Sequence, residues 1–431
     1  MLRGFQSYKD LVNPVLVQLL ELTGMDARFV RASGCSLWDD RGQEFLDFFS
    51  GSGTFNLGHN SPAVIEAVTE ALGQELPWIY GIAASPHMGE LAEALTVLAG
   101  PTFNHVFLSN SGTEAVEGSL KLARACTRRP TIVYCENAYH GTTLGSLSLM
   151  ESGPFREPFE PLLLNCVKIP FNNLEALGEA LNANECAAFV VEPIQAEGGI
   201  RLPEDGFLKH AAELCQSAGT LLVLDEIQTG MGRTGSLFSF QSGGVIPDIF
   251  TLAKALGGGM MPIGAYVTRR ELYDRAYGTY SRCESHHSTF GGNTLSCRAA
   301  LAAIDGLSAP ELLAHVDEEG AYLLDCLRQS VGGSPLVKAI RGRGLLIGIE
   351  FAAVDHPQLQ WDNLDVPDFA GRNMVAQLIM KRLFDQRILT QTCVHAWQVL
   401  KLEPPLVVTR AQVERCVTAI VDAVRWLESI V

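Results

Sequence analysis

Residues 221–235 read LLVLDEIQTGMGRTG. The apolar run 221–224 predicts a buried strand, and the chain places Asp225 and Glu226 at its carboxyl end. Open α/β sheets bind their ligands at the carboxyl ends of their strands. The stretch therefore predicts a sheet with a functional site at this edge. An acidic helix cap or turn is the alternative that it leaves open.

Short runs rich in β-branched residues recur on both sides of this stretch and alternate with helical patterns. Amphipathic segments at 112–126 and 206–217 are long enough to cover the faces of a sheet. This alternation is typical of crossover connections in a mainly parallel sheet. The short runs lie at 131–134, 188–191, 221–224, 249–252 and 264–268.

The pattern divides the 431-residue chain into three parts. Residues 1–60 are an irregular lead-in, which we expect to contribute to the small domain and to subunit contacts. Residues 61–305 carry the alternating pattern and predict a large α/β domain. Residues 306–431 predict a smaller α+β domain. The elements expected there include helices at 368–386 and 409–429 and an exposed excursion at 355–369.

The composition restricts the classes of function. Hydrophobic residues make up 47% of the chain and charged residues 19%, which is typical of a folded protein with a large core. The net charge of −16 argues against nonspecific binding to nucleic acid or to anionic membranes. No apolar run approaches the roughly 20 residues of a membrane helix, and the amino terminus lacks a signal-peptide pattern, so we expect a cytoplasmic protein. Eleven cysteines without a C-x-x-C pair predict reduced thiols and no zinc site.

A lysine follows another predicted strand. Lys254 stands in TLAKALGGG, just past the run 249–252 and among apolar neighbours. Burial lowers the pKa of an ammonium group and frees the amine to attack a carbonyl, as Schiff-base chemistry requires. A solvated lysine at a strand end is the alternative.

The start of a helix in SNSGTEAVEG suggests a phosphate site. Ser111, Gly112 and Thr113 open an amphipathic helix, and free backbone N–H groups, hydroxyls and the positive helix end together hold phosphate well. Ser111 and Glu114 also spell a capping box, and both interpretations can hold at once. Pyridoxal phosphate needs such a cradle, a lysine amine and a carboxylate that keeps its ring nitrogen protonated, a role that we assign to Asp225.

The ordered motifs resemble those of the class III aminotransferases, from about Gly34 to Ile420. The resemblance implies an α/β fold of type I among pyridoxal phosphate enzymes, with a mainly parallel seven-stranded sheet in the large, cofactor-binding domain and a small α+β domain. The chain is most similar to the putrescine, ornithine and acetylornithine branch. The matching segments are FNLGHNSP, SNSGTEAVEGSLKLAR, AYHGTTLGSLS, VVEPIQAEGGI, LDEIQTGMGRTG, LAKALGGGMMPIGA, STFGGN, RGRGLLIGIEF and LEPPLVVT.

The resemblance also implies roles for individual residues. Lys254 forms the Schiff base with the cofactor, Asp225 pairs with the pyridine nitrogen, and Gln228 approaches the phenolic oxygen. Tyr139 stacks on the cofactor ring, whereas outside its motif it would be interpreted as a core aromatic residue. The residues that the resemblance implies to hold the phosphate are Gly112 and Thr113, and the start of the helix adds Ser111 to the candidate cofactor-binding residues.

The segment STFGGN bears on the assembly of the protein. The resemblance implies that Ser288 and Thr289 reach the phosphate of the neighbouring subunit's cofactor, which predicts a homodimer with shared active sites. Two adjacent histidines, His286 and His287, precede this segment. No third ligand stands at a suitable spacing, so we expect a loop or interface role for them and no metal.

Two further residues bear on substrate recognition. The resemblance implies that Glu197 is a gate carboxylate, which pairs with a cation from the segment before PPL when no substrate carboxylate is bound. The family commonly has arginine there, whereas this chain has Lys401. An ammonium group is a point charge and cannot grip a carboxylate bidentately as a guanidinium does. Recognition of glutamate or 2-oxoglutarate is therefore left open.

Other enzyme classes share parts of these motifs. Gly230, Gly232 and Gly235 spell the G-x-G-x-x-G pattern of dehydrogenases, but the following SLFSFQSGG neither opens an amphipathic helix nor leads to the expected acid, so we reject a dinucleotide site. An aminomutase, epimerase or decarboxylase on the same cofactor stays open, because these enzymes share the first chemical step. A binding or scaffold protein on a degenerate fold is not favoured, because the set Lys254, Asp225, Gln228 and Thr289 is complete.

The sequence thus predicts an aminotransferase that works by a ping-pong mechanism. The donor would be an amine or an amino acid such as a diamine, an ornithine-like compound or glutamate. The acceptor would be a keto acid, an aldehyde or a ketone. Lys254 would act as general base and then as general acid, moving a proton between the substrate carbon and the cofactor carbon.

Overall fold

The computed structural model describes residues 2–356, 359–360 and 372–431. In these residues the strands are β1 (Phe29–Ser33), β2 (Ser36–Asp39), β3 (Glu44–Asp47), β4 (His105–Ser109), β5 (Thr131–Cys135), β6 (Cys166–Ile169), β7 (Cys186–Val191), β8 (Leu221–Asp225), β9 (Ile249–Leu252), β10 (Gly264–Thr268), β11 (Val337–Arg343), β12 (Leu346–Phe351), β13 (Ile388–Leu389), β14 (Gln391–Thr392) and β15 (Val399–Leu402). The helices are α1 (Leu2–Leu11), α2 (Pro14–Thr23), α3 (Ser50–Gly53), α4 (Pro62–Leu72), α5 (Pro86–Ala99), α6 (Gly112–Thr127), α7 (Leu144–Leu147), α8 (Leu174–Ala183), α9 (Phe207–Ala218), α10 (Ser239–Gly243), α11 (Arg270–Tyr277), α12 (Thr294–Leu307), α13 (Pro310–Val331), α14 (Val375–Asp385) and α15 (Arg410–Glu428). Short 3-10 helices span Glu157–Phe159 and Lys254–Gly257.

Seven strands form the large sheet, in the order β4-β10-β9-β8-β7-β5-β6. Strand β10 runs antiparallel to its neighbours β4 and β9, and the other pairings are parallel. This confirms the predicted mainly parallel, seven-stranded sheet. Strands β4, β5, β7, β8 and β9 therefore all present their carboxyl ends at the same edge.

Helices cover both faces of this sheet. Along each strand, successive side chains point to opposite faces. On one face, Val116 and Leu120 of α6 belong to the same buried cluster as Val223 of β8. On the other face, Ala211 of α9 and Leu222 of β8 belong to the main core. Each fully buried valine or leucine stabilises the fold by about 1.5–3 kcal/mol, so the central strands form a rigid base for the loops at their ends.

Two smaller four-stranded sheets complete the fold. Strands β11, β12, β15 and β14 form an antiparallel sheet, in that order. Strands β1, β2 and β3 form an antiparallel set that β13 extends in parallel, with Ile388 opposite Leu46. Residues of the N-terminal segment and of the C-terminal part therefore share one sheet. The domain boundaries 1–60, 61–305 and 306–431 stay a prediction.

The predicted C-terminal elements can be compared with the described residues. Helix α15 closely matches the predicted helix 409–429, and α14 lies within the predicted helix 368–386. Residues 368–371 of the predicted helix 368–386, and most of the predicted excursion 355–369, lie outside the described residues.

No single helix in the described ranges is long and apolar enough to cross a membrane. The consecutive helices α12 and α13, which meet at a bend of 64°, satisfy that test as a pair by length and composition alone.

Candidate active site

A cavity of about 500 Å³ lies at the carboxyl ends of the parallel strands. Its lining comes from Asp225 at the end of β8, from the segments that follow β4, β5, β7, β8 and β9, and from Thr54 after α3. The structure therefore places residues from six parts of the chain around one space. The residues predicted from the sequence that line it are Ser111, Gly112, Thr113, Tyr139, Asp225, Gln228 and Lys254.

Lys254 opens the 3-10 helix that follows β9. Its backbone φ is +47°, which is uncommon for a residue other than glycine; strained backbone of this kind is found at active sites among other places. Its ammonium group donates a hydrogen bond to Oε1 of Gln228. Burial lowers the pKa of Lys254, and the nearby carboxylates of Glu403 and Glu197 offset that effect only in part. The amine therefore loses its proton more readily than an ordinary lysine does.

Asp225 ends β8 and is held by three donors. Its Oδ1 accepts hydrogen bonds from the hydroxyl of Thr251 at 2.9 Å and from the backbone N–H of Ile227 at 3.1 Å. Its Oδ2 lies 2.7 Å from Nδ1 of the buried His140. Burial lowers the pKa of His140, but the hydrogen bond and the charge of Asp225 outweigh burial and raise it overall. The carboxylate thus has a fixed orientation at the cavity wall.

The neighbouring acid, Glu226, faces away from the cavity. Its carboxylate accepts hydrogen bonds from the hydroxyl of Thr229 at 2.7 Å and from the backbone N–H groups of Ser239 and Phe240 at 3.1 and 2.8 Å. Burial raises the pKa of Glu226 to about 7. Of the two acids that end β8, Asp225 therefore lines the cavity, and Glu226 caps the start of α10.

The start of α6 forms another wall of the cavity. The Ser111 hydroxyl accepts a hydrogen bond from the N–H of Glu114, as in a capping box. The Glu114 carboxylate accepts instead from the N–H of Asn110 at 2.6 Å, so only half of the predicted box is present. The first turn of a helix leaves its N–H groups without intrahelical acceptors. A side chain at Gly112 would approach Ile227 to 2.8 Å, so glycine keeps the backbone close to the strand end that carries Asp225.

Tyr139 is positioned through its backbone. Its N–H donates to Oε1 of Glu192 at 3.1 Å, and Oε2 of Glu192 accepts from the N–H of Ala196. Burial raises the pKa of Glu192 to about 7. The Tyr139 ring lies 6.2 Å from the ring of His395 between centroids.

Four predicted site residues lie outside the cavity lining. Lys401 and Glu197 form a buried ion pair next to Gln228. Burial alone would raise the pKa of Glu197, but the ammonium groups of Lys401 and Lys254 outweigh burial and lower it to about 2. Ser288 accepts a hydrogen bond from Asn110 Nδ2 at 2.7 Å, and Thr289 is exposed. The roles predicted for all four stay predictions.

The remaining motifs have structural explanations. His286 lies 2.9 Å from the Lys121 ammonium and stacks on Phe107, and His287 is exposed. Within the described ranges, no group of three or more histidine, cysteine or acidic side chains is arranged to hold a metal. In the G-x-G-x-x-G segment, Gly235 has a φ of +86°, and a side chain there would approach Asp317 to 1.7 Å. This close packing accounts for the glycine without a nucleotide.

Three residues near the site were not assigned a role from the sequence. His140 adjoins Tyr139 within AYHG, and Glu192 follows strand β7, so their positions gave a signal that could have been used. Glu403 follows β15, is fully buried, and accepts hydrogen bonds from Gln228 Nε2 at 3.1 Å on both carboxylate oxygens. Its motif, LEPP, contains no pattern that indicates a site.

Known proteins with similar sequences and folds identify the family of this chain. The model of the family "Aminotransferase class-III" matches residues 22–424. Aminotransferase PigE of Serratia sp. (strain ATCC 39006) is 37% identical over 443 aligned positions, which cover 96% of this chain and 52% of that protein. The chain thus spans about half the length of this curated relative.

Solved structures of similar chains extend the comparison. Ornithine aminotransferase from Toxoplasma gondii, described with partial occupancy of PLP at its active site, is 32% identical with a TM-score of 0.84, covering 94% of this chain and 91% of that one. Acetylornithine aminotransferase from Elizabethkingia anophelis is 30% identical with a TM-score of 0.77, covering 96% and 99%. These findings confirm the family that the motifs predicted. The chain belongs to the class III aminotransferase family.

Proposed function

We propose that the protein is a pyridoxal phosphate-dependent aminotransferase. It would move an amino group from an amine or amino acid donor to a keto acid, aldehyde or ketone acceptor in two half-reactions. The observation that carries the proposal is the meeting of the Lys254 amine, the Asp225 carboxylate and the start of α6 around one cavity. The family membership supports the same reaction.

The residues present fit this cofactor. The free N–H groups at the start of α6 and the Thr113 hydroxyl suit a phosphate group. The Thr113 hydroxyl also lies 2.6 Å from the hydroxyls of Thr143 and Ser146, so it belongs to a polar network that fixes its position. The oriented carboxylate of Asp225 suits a pyridinium nitrogen, and Tyr139 supplies a flat aromatic side chain. The cavity of about 500 Å³ has room for both a small ring and a substrate.

The chemistry follows from where these groups stand. When bound, pyridoxal phosphate draws electrons from the substrate carbon through its protonated ring, so that this carbon can lose a proton. The Nζ of Lys254 would take that proton from the donor and deliver it to the cofactor carbon, and it would carry a proton in the reverse direction to the carbonyl acceptor in the second half-reaction, a role that its lowered pKa favours. Asp225 holds the ring nitrogen in its charged form, and His140 fixes the carboxylate that does so.

The test is a screen of amine donors against the holoenzyme, with its absorbance recorded. We expect at least one donor to bleach the colour of the pyridoxal form, and a carbonyl acceptor to restore it. Racemisation and decarboxylation leave the pyridoxal form in place. Product formation without bleaching would therefore contradict transamination and favour an epimerase or decarboxylase.

We propose further that the enzyme is a homodimer with shared active sites. Asn110 lines the cavity and donates to Ser288, so the segment that carries Thr289 begins at the cavity wall. Thr289 itself is exposed, as are the large apolar side chains of Phe290 and Tyr280 in the same region. A partner subunit would cover these side chains. The eleven free thiols, among them the exposed Cys283, support a reducing, cytoplasmic location.

Replacement of Thr289 by valine tests the shared site. The loss of one hydroxyl donor to a phosphate is expected to weaken cofactor binding by about tenfold or more, as measured by fluorescence titration of the apoenzyme. Thr418→Val, on the exposed face of α15, is the matched control and should leave cofactor affinity unchanged. Full activity after dilution to a monomer, checked by light scattering, would contradict the shared site.

A further inference from the structure

A buried ammonium group behind the cavity is held by two carboxylates at once. Lys401 is 1% exposed, Glu197 5% and Glu403 0%. The Lys401 ammonium pairs with Glu197 Oε1 and lies 3.5 Å from Glu403 Oε2. Burial alone would lower the pKa of Lys401, but Glu197 and Glu403 together raise it well above its usual value.

The second carboxylate, Glu403, is fixed from several sides. Its backbone N–H donates to the carbonyl of Phe48 at 2.9 Å. The next carbonyl, that of Pro404, accepts from the buried guanidinium of Arg233 at 2.5 Å. Gly53 packs directly against the Glu403 carboxylate, since a side chain at position 53 would approach Oε1 to 2.6 Å. Glu403 therefore has little freedom to turn away from Lys401.

The first carboxylate, Glu197, is held less completely. Its Oε2 accepts from the N–H of Val394 at 3.0 Å, and its Oε1 faces Lys401 and, at 3.4 Å, Gln228 Nε2. If Glu197 alone moved aside, Lys401 would still face Glu403. The positive charge of Lys401, to which a substrate carboxylate would bind, is therefore compensated by Glu403 whether Glu197 stays or moves aside.

This cluster stands next to the reacting centre. Gln228 accepts a hydrogen bond from the Lys254 amine through Oε1 and donates to Glu403 through Nε2. A single amide thus separates the catalytic amine from the carboxylates. A substrate carboxylate that reached Lys401 would therefore have to be attached to the carbon that exchanges its proton with Lys254, or to a carbon next to it.

We infer that Glu403 is a specificity-determining residue that keeps Lys401 from binding a substrate carboxylate, so that the enzyme prefers amines, aldehydes and ketones whose reacting carbon bears no carboxylate. The inference rests on the proposed function and narrows its substrates. α-Amino acids and α-keto acids would be poor substrates, because Glu403 would still compensate the charge of Lys401 and repel their carboxylate even if Glu197 moved aside.

The binding test uses 2-oxoglutarate and the pyridoxal form of the holoenzyme, in which this keto acid cannot accept an amino group. Calorimetry should show weak binding to the wild type and at least tenfold tighter binding to Glu403→Gln, which keeps the side-chain volume and removes the charge. Glu403→Ala should shift binding in the same direction. The control is Glu319→Gln, a carboxylate of similar burial that pairs with the distant Arg410 and should leave binding unchanged.

A kinetic comparison adds a second readout. Glutamate and 4-aminobutyrate differ only in the α-carboxylate, as do alanine and ethylamine. We expect the wild type to react faster with the member of each pair that lacks this group, and Glu403→Gln to reduce the preference at least tenfold. Tight 2-oxoglutarate binding by the wild type, or equal binding by wild type and variant, would overturn the inference. If no amine bleaches the cofactor, the proposed function fails, whereas the calorimetric comparison still decides the role of Glu403.

Discussion

Replacement of Lys254 by alanine is expected to lower the rate of amino-group transfer by at least ~10³-fold, within the range found when a general acid–base group is removed. The variant loses the one lysine amine that the described residues contribute to the cavity lining. Cofactor uptake should persist, because the start of α6 and Asp225 are untouched. Stopped-flow bleaching with an active amine measures the rate, and dialysis followed by absorbance measures the retained cofactor.

Two controls make this result specific. Lys168→Ala removes a more exposed lysine that pairs with Glu151 and should leave the rate unchanged. Borohydride treatment should attach the cofactor covalently to the wild type at position 254, as shown by peptide mass spectrometry, and should not attach it to the variant. Turnover at the wild-type rate by Lys254→Ala would remove the basis of the proposed mechanism.

Replacement of Asp225 by asparagine is expected to slow the half-reaction by about 10²–10³-fold, the scale found when one preorganised electrostatic group is removed. The amide can still accept hydrogen bonds from Thr251 and Ile227, so the local structure should survive. The amide carries no charge to hold the ring nitrogen in its protonated form. Single-turnover bleaching measures the rate, and cofactor affinity should change much less than the rate does.

Glu226 supplies the matched control for Asp225. It is the next residue and equally buried, but its oxygens face Thr229 and the start of α10. Glu226→Gln should lower the free energy of unfolding, because one of its three donors loses its acceptor, and should leave the half-reaction rate close to that of the wild type. Equal loss of rate in both variants would mean that Asp225 acts only through the fold.

The sequence predicted the sheet and its active edge, but not all of its strands. Runs such as 188–191 and 221–224 are apolar throughout because they are buried on both faces. Strands β4 and β6 were not predicted: β4 has only three successive apolar residues, between His105 and Ser109, Lys168 interrupts β6, and each strand lies at an edge of the sheet. The reversal of β10 has no local signature, because an antiparallel partner changes hydrogen-bond geometry and not side-chain type.

The candidate site was predictable where function depends on strand ends, and unpredictable where it depends on long-range packing. Lys254 and Asp225 follow apolar runs, which is the signal that identified them. Glu403 acquires its role only because β15 pairs with β12 and brings it to Gln228, which is 175 positions away in the sequence. Nothing in the letters KLEPP indicates that this glutamate is buried beside an ammonium group.

The pairing of β3 with β13 also has a consequence for synthesis on the ribosome. Leu46 finds its partner, Ile388, only after most of the chain has left the exit tunnel. The seven-stranded sheet ends at residue 268 and can collapse earlier, whereas one edge of β3 stays open until the late strand arrives. A nascent chain that stalls before residue 388 would therefore expose that edge to other chains, which makes it a natural client for chaperones.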